Sequence, residues 1–133
     1  MNPSDLIDTA CDALKKAHAP YSGYKVGAAL LCADGTVFKG CNVENASYGL
    51  TNCAERTVLF SAIAAGQTDF AAIAVAAASE PAPFPCGACR QVLAEFCGPD
   101  FPIYIKNSDG YESTTLGKLL PHCFELKTGS SDA

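Results

Sequence analysis

Positive charge is scarce in this sequence. Among 133 residues, nine are lysine or arginine and 14 are aspartate or glutamate, which gives a net charge of −5. Nucleic acids and anionic membranes are bound through basic patches, so this balance argues against both as partners. It does not exclude a small ligand that is held by hydrogen bonds. Only two of the nine cations are arginines, Arg56 and Arg90, and both fall inside the motifs described below.

Long apolar segments and a secretion signal are also lacking. The longest run without a polar residue, Phe70 to Ala78, is far shorter than the roughly 18 residues that a membrane-spanning helix needs. The first residues have no basic stretch followed by an apolar one, so we expect no signal peptide and a cytoplasmic protein. With 49% apolar and 17% charged residues, the chain is expected to fold as one domain over 1–133, with a frayed tail at 128–133.

Hydrophobic periodicity and turn residues predict an α/β fold. A helix over 4–18 is expected to begin with Ser4 as its N-cap and to end before Pro20. Residues 70–78 are rich in alanine, which favours helix, but their place between a helix and a proline-rich stretch favours a buried strand. The expected order is α-β-β-α-β-α-β-β-α, a three-layer α-β-α sandwich around a mixed sheet of about five strands. The other predicted strands are 26–32, 36–43, 102–106 and 111–115, and the other predicted helices are 53–65, 86–97 and 115–120.

The eight cysteines fall into two groups. Without an export signal, a reducing cytosol disfavours a disulfide framework. Cys53, Cys86 and Cys89 lie at the starts of two predicted helices. The others are isolated in apolar or mixed stretches and are interpreted as small buried hydrophobic residues: Cys11, Cys32, Cys41, Cys97 and Cys123.

The helix starts TNCAER (51–56) and PCGACR (85–90) are suited to bind a metal ion. The N-terminus of a helix carries partial positive charge, which lowers the pKa of a thiol and favours the thiolate, the metal-binding form. Cys86 and Cys89 are three residues apart and share one helix face, so both sulfurs can reach one ion. If Cys53 joins them, the site has three thiolates and an open position, which is typical of catalytic zinc.

Glu55 and the two arginines add charge to this candidate site. Zinc with three thiolates has a formal charge of −1, and Arg56, and less directly Arg90, would offset it with guanidinium hydrogen bonds. Glu55 need not be a ligand, because a carboxylate beside a metal site can take up and deliver protons. The pattern CAE (53–55) followed by PCxxC (85–89) is the three-cysteine form of the motif of zinc-dependent nucleobase deaminases.

Each feature also has a simpler interpretation when it is taken alone. Asn52 and Glu55 are spaced as a capping box. The segment CGAC (86–89) could be a redox pair of the thioredoxin type, and Cys53 could be a buried thiol. Together these interpretations require three coincidences, and the redox interpretation leaves Cys53 and both arginines unexplained. A joint metal site is therefore the preferred hypothesis.

Four segments resemble the small homotetrameric cytidine deaminases, a resemblance that extends over most of the chain. They are residues 20–31 (PYSGYKVGAALL), 40–56 (GCNVENASYGLTNCAER), 85–93 (PCGACRQVL) and 119–121 (LLP). The resemblance implies hydrolytic deamination of cytidine and deoxycytidine to uridine and deoxyuridine with release of ammonia, a reaction of pyrimidine salvage. It also implies one zinc ion per subunit and a cytoplasmic homotetramer with sites at subunit interfaces.

The resemblance further assigns roles to individual residues. Cys53, Cys86 and Cys89 would bind zinc, and Glu55 would shuttle protons. The remaining positions would contact the nucleoside. Asn42 and Glu44 would bind its ribose, chiefly the 3′-hydroxyl, the backbone of Ala54 and Cys86 would contact the pyrimidine edge, and Tyr24 would stack on the base. Ala46, Tyr48 and Phe124 would contribute to a site shared with a neighbouring subunit. The chain departs from the family at Tyr24, where phenylalanine is usual.

Three other functions stay open at this point. They are deamination of another aminated heterocycle such as blasticidin S, a zinc-stabilised binding module without turnover, and editing of a nucleic acid. The ribose pair Asn42 and Glu44 counts against the first, and Glu55 beside an open metal position counts against the second. The acidic charge and the lack of basic runs count against the third.

Overall fold

A computed structural model describes residues 1–126 of the chain, and the predicted frayed tail at 128–133 lies outside them. The helices and strands follow the predicted order, with short 3₁₀ turns at Leu14–Lys16 and Tyr48–Leu50. The helices are α1 (Pro3–Ala13), α2 (Ala54–Ala64), α3 (Gly87–Phe96) and α4 (Leu116–Leu119). The strands are β1 (Val26–Cys32), β2 (Val37–Cys41), β3 (Phe70–Ala77), β4 (Pro102–Asn107) and β5 (Gly110–Thr115). Within residues 1–126, every helix is too short or too polar to cross a bilayer.

The five strands form one mixed sheet in the order β2-β1-β3-β4-β5. Only the β3–β4 pair is parallel, and the other three pairs are antiparallel. Strand β3 therefore lies at the centre, and residues 72–76 are buried on both faces of the sheet. The prediction of a strand at 70–78 is confirmed because burial on both faces outweighs the helix propensity of its alanines.

Helices cover both faces of the sheet, as predicted. Helix α1 packs Leu6, Ile7 and Ala10 against small side chains of β1 and β3, such as Ala29 and Ala74. The opposite face, with larger side chains, packs against α2, α3 and α4. Its fully buried members include Leu30, Leu59, Ile73, Val75, Leu93, Ile103 and Ile105. The alanine side lets α1 approach closely, while the larger side chains hold α2 and α3, which begin at the candidate site.

Gly27 is the point of closest approach between α1 and the sheet. A Cβ atom at this position would lie 2.1 Å from the carbonyl oxygen of Ala10 and 2.5 Å from the backbone nitrogen of Leu14. Gly27→Ala should therefore lower the free energy of unfolding by about 3 kcal/mol, because α1 has to shift as a unit. Urea denaturation measures this effect. Gly98→Ala is the matched control, since a Cβ at Gly98 meets nothing within 4 Å; equal losses in both variants would contradict the packing argument.

Two details of the predicted first helix are wrong. Asn2, not Ser4, is the N-cap of α1, because its side chain accepts the backbone N–H of Asp5 at 2.9 Å and Pro3 suits the first turn. The helix also ends well before residue 18. The backbone of His18 instead pairs with the segment after β2, donating to Asn42 at 3.0 Å and accepting from Glu44 at 2.8 Å. This pairing brings residues 42–44 beside the turn at 19–23.

All eight cysteines are free thiols. Among the five isolated ones, only Cys32 is buried, and Cys11, Cys41, Cys97 and Cys123 are half-buried. The interpretation as buried residues is confirmed for Cys32 and only partly met by the other four, which lie on α1, on the edge strand β2, after α3 and in the C-terminal segment, where one side faces solvent. Burial is still enough to raise the pKa of Cys97 to about 12.

Candidate metal centre

Three sulfur atoms from two distant parts of the chain converge at one point. The Sγ atoms of Cys53 and Cys86 are 3.9 Å apart, and those of Cys86 and Cys89 are 3.5 Å apart. All three lie within 4.8 Å of one another. Tetrahedral zinc with Zn–S bonds of about 2.3 Å places its sulfur ligands about 3.8 Å apart. The sulfur spacing therefore fits one zinc ion.

The ends of α2 and α3 position these sulfurs. Cys53 and Cys86 are the N-caps of the two helices, each with an extended backbone, and Cys89 is in the first turn of α3. A backbone bridge between Val43 and Asn52 holds the residue before Cys53 against the segment after β2. Both helix dipoles thus direct their positive ends at the cluster, which favours thiolates.

Arg56 is the cation that faces the cluster. Its Nη2 atom donates to the Sγ of Cys53 at 3.3 Å, and its Nε is buried without a hydrogen-bond partner among the described residues. The hydrogen bond from the Cys89 thiol, joined by that from Arg56, lowers the pKa of Cys53 to about 5. The same hydrogen bond between Cys89 and Cys53 raises the pKa of Cys89. The Arg56 guanidinium thus faces the sulfur of Cys53, which is the arrangement expected of a metal centre with excess negative charge.

Arg90 serves the same region differently. Its Nε donates to the carbonyl oxygen of Pro85 at 2.7 Å, and its Nη1 donates to that of Leu119 at 2.8 Å. These bonds tie the start of α3 to the end of α4. Compensation of thiolate charge by Arg90 therefore stays a prediction that rests on its place next to Cys89 in the sequence.

Glu55 is buried beside the cluster with only 5% of its surface exposed. Burial raises the pKa of its carboxyl group to about 7. The capping-box interpretation is wrong, because the N-cap of α2 is Cys53 rather than Asn52. A buried carboxyl whose pKa lies near neutrality can both accept and donate a proton at physiological pH.

A cavity of about 320 Å³ opens next to Glu55 and Cys53. Asn42, Ala54 and Tyr24 line it, together with the proline-rich loop 81–84. The Tyr24 hydroxyl donates to the carbonyl oxygen of Pro81, so the polar end of this ring has a partner in the loop. Nothing in the sequence marks this loop as part of the site, although its two prolines and Pro85 form an unusual segment before Cys86.

A second cavity, of about 330 Å³, adjoins the first, because Thr51 lines both. Glu44, Tyr21, Ser22 and Tyr48 line it. The Tyr21 and Tyr48 rings are 6.1 Å apart in an edge-to-face arrangement, and Tyr48 is 75% exposed. Two adjoining cavities of this size suit a ligand with two parts, one beside the metal centre and one beside Glu44.

The two residues expected to bind ribose make different contacts with the protein. The buried amide of Asn42 accepts the N–H of Val26 at 2.9 Å and donates to the carbonyl of Tyr24 at 2.8 Å. One N–H of its NH₂ group remains for a ligand. Glu44 accepts from the turn at 19–23 through both oxygens, from the N–H groups of Tyr21 and Ser22 and from the Ser22 hydroxyl.

Ala46 and Phe124 lie on the surface rather than in the first cavity. Ala46 is exposed in the loop that follows Glu44. Phe124 is 70% exposed, and its carbonyl accepts from the Gln91 side chain on α3 at 3.0 Å. Within one chain, these residues and Tyr48 are exposed to solvent, and of the three only Tyr48 lines one of the two cavities.

The comparisons with known proteins agree with this geometry. The family model "Cytidine and deoxycytidylate deaminase zinc-binding region" matches residues 1–105. The chain is 50% identical over 125 residues to a cytidine deaminase of Sporosarcina psychrophila, covering 93% of this chain and 92% of that protein. It is 51% identical over 125 residues to a cytidine deaminase of Halalkalibacterium halodurans, covering 93% and 95%. The crystal structure of a cytidine deaminase from Burkholderia pseudomallei superposes with a TM-score of 0.88 at 54% identity, covering 93% of this chain and all of that one.

Proposed function

The chain belongs to the zinc-binding cytidine and deoxycytidylate deaminase family, and we propose that it hydrolyses cytidine and deoxycytidine to uridine and deoxyuridine with release of ammonia. The observation that carries this proposal is the convergence of Cys53, Cys86 and Cys89 on one point beside the buried Glu55. Three cysteine ligands would leave one position of a tetrahedral zinc ion open, which is typical of catalytic rather than structural zinc.

Glu55 carries the proton transfers in this proposal. Cys53, Cys86 and Cys89 would hold zinc, which would supply the Lewis acidity that makes water nucleophilic at neutral pH. Glu55 takes a proton from the attacking water and delivers it to ring N3 as oxygen adds to C4. Glu55 then takes the remaining proton of the attacking water, now on the C4 hydroxyl group, and passes it to the exocyclic amine. The amine leaves as ammonia when the C4–N bond breaks. One carboxyl group can perform both transfers because burial raises its pKa to about 7, close to the pH of a neutral solution.

The two cavities position the nucleoside. The Tyr24 ring would stack on the base, and the backbone of Ala54 and Cys86 would contact the pyrimidine edge. The free N–H of Asn42 and the carboxylate of Glu44 would bind the ribose, chiefly its 3′-hydroxyl. An unpaired Glu44 would then penalise substrates that lack this hydroxyl.

The direct test follows the ultraviolet spectrum and the ammonia released when the zinc-loaded protein is mixed with cytidine. We expect conversion to uridine that stops after chelation and returns with added zinc. A competition between cytidine and blasticidin S in the same assay separates nucleoside deamination from deamination of another heterocycle. Zinc-loaded protein that releases no ammonia from cytidine would overturn the proposal.

We further propose that the protein is a homotetramer in which Ala46, Tyr48 and Phe124 complete a neighbour's site. The exposed aromatic rings of Tyr48, which lines the second cavity, and of Phe124 support this arrangement. Light scattering should give about four times the 13.8 kDa mass of one chain. Hybrids of Glu55→Ala and Tyr48→Ala subunits should regain activity, since some sites then combine intact residues from two chains. A monomeric mass would contradict the proposal.

The proposed setting is pyrimidine salvage in the cytoplasm. The eight free thiols support a reducing compartment, because an oxidised cluster could not bind zinc.

Arg56→Gln should lower kcat by about 10- to 100-fold, which corresponds to the loss of one hydrogen bond to a charged group. The expected cause is uncompensated negative charge on Cys53, so the unfolding temperature should change little. Arg90→Gln is the matched control: it removes the bonds to Pro85 and Leu119 and should reduce stability more than kcat. An unchanged rate in a stable Arg56→Gln protein would refute charge compensation.

A further inference from the structure

The Ser22 side chain belongs to the turn at 19–23 and lines the second cavity. Its Oγ atom accepts the backbone N–H of Tyr24 at 3.0 Å, and its O–H donates to Oε2 of Glu44. The Ser22 side chain thus connects Tyr24, which lines the first cavity, to the carboxylate of Glu44, which lines the second. Nothing in the local sequence distinguishes Ser22 from an ordinary turn serine.

The hydrogen-bond directions around Glu44 can be worked out. A carboxylate offers about four acceptor positions, two on each oxygen. The backbone N–H groups of Tyr21 and Ser22 donate to Oε1 at 2.9 and 3.1 Å. Ser22 Oγ donates to Oε2, so one acceptor position remains on Oε2 among the described residues. The hydrogen bond from Ser22 also lowers the pKa of Glu44, which keeps the group an ionised acceptor.

The turn that supplies these donors is held at both ends. Gly23 has a φ of +69° and donates to the carbonyl of Ala19 at 2.9 Å. The N–H of Glu44 donates to the carbonyl of His18 at 2.8 Å. The two backbone donors to Oε1 are therefore set by the fold, whereas the donor to Oε2 depends on one side chain.

We propose that Ser22 is a positioning residue that orients Oε2 of Glu44 so that its one remaining acceptor position receives a sugar hydroxyl of the substrate. This inference rests on the proposed function, because it takes the occupant of the second cavity to be the ribose of a nucleoside. Without the Ser22 hydroxyl, the Glu44 carboxylate keeps its two backbone partners but can turn Oε2 away from the ligand.

The test compares Ser22→Ala with Ser22→Thr, which keeps the hydroxyl, and with Ser113→Ala, which removes an exposed hydroxyl from β5. Each variant is assayed on cytidine and on 2′,3′-dideoxycytidine, which lacks the sugar hydroxyls. Ser22→Ala should lower kcat/KM on cytidine about 5- to 10-fold, mainly through KM, and should change it less than 2-fold on the dideoxy substrate. Ser22→Thr should keep most of the preference for cytidine over 2′,3′-dideoxycytidine, and Ser113→Ala should keep all of it.

Binding provides a readout that does not depend on turnover. Calorimetry with uridine and 2′,3′-dideoxyuridine should show the same loss of discrimination in Ser22→Ala. Equal losses of affinity for both ligands, or full discrimination between them in Ser22→Ala, would overturn the role of Ser22. The proposed function would still be upheld by cytidine turnover in the unmodified protein. Absence of both cytidine turnover and uridine binding would overturn the proposed function and this inference with it.

Discussion

Glu55→Ala should lower kcat for cytidine by at least ~100-fold while the protein keeps its zinc, because a positioned acid–base group typically contributes 10²- to 10⁴-fold. The expected loss is large since one carboxyl group handles both proton transfers and burial excludes bulk water as a substitute. Only 5% of its surface is exposed. Elemental analysis of the variant should show the same zinc content as the unmodified protein, because Glu55 is not one of the three ligands.

Two further variants make the interpretation specific. Glu55→Gln keeps the shape of the side chain and should be as inactive as Glu55→Ala. It should fold at least as stably as the unmodified protein, since a buried carboxyl group costs desolvation energy. Glu112→Ala removes an exposed carboxyl group from β5 and should leave kcat unchanged. Near-normal turnover in zinc-replete Glu55→Ala would remove Glu55 from the mechanism.

Cys86→Ala should abolish both zinc binding and activity. Two sulfurs remain in this variant, and a tetrahedral ion with two open positions is held far more weakly than one with three protein ligands. Zinc per chain, measured by elemental analysis after dialysis, should fall to about a tenth of the unmodified value or less. The unfolding temperature should fall as well, since zinc bound to the folded state alone stabilises it.

Cys11→Ala is the matched control for this experiment. Cys11 is also a free cysteine, but it lies on α1, on the opposite side of the sheet from the cluster. Its removal should leave zinc content and activity intact. Full zinc occupancy in Cys86→Ala would show that the ligand set is wrong, whatever the activity.

The order of helices and strands could be read from the sequence because each element carries a strong local signal. Strand β1 was expected at 26–32 and is found at Val26–Cys32, since apolar residues bounded by turn residues define it. The length of α1 was overestimated for a reason outside the segment. The backbone of His18 pairs with residues 42–44, and this contact with a distant segment ends the helical region early.

The sequence also predicts that Cys86 and Cys89 lie together, because they are one turn apart and share a helix face. The sequence does not decide whether Glu55 caps its helix or acts as an acid–base group. Asn52 and Glu55 have the spacing of a capping box, and only the packed structure shows that the helix begins one residue later, at Cys53, and that Glu55 is buried.

The sequence by itself indicated the family, the fold class and the three cysteines that the structure brings together, because these depend on spacing within short segments. The tertiary structure alone decided how the polar groups around the centre are used. Arg90 donates to the carbonyl oxygen of Leu119, 29 positions away, and the turn at 19–23 supplies three donors to Glu44, at least 22 positions away. The physical reason is that a hydrogen bond needs its donor and acceptor within about 3 Å, and residues more than 20 positions apart in the chain meet that condition only where the packed loops bring them together.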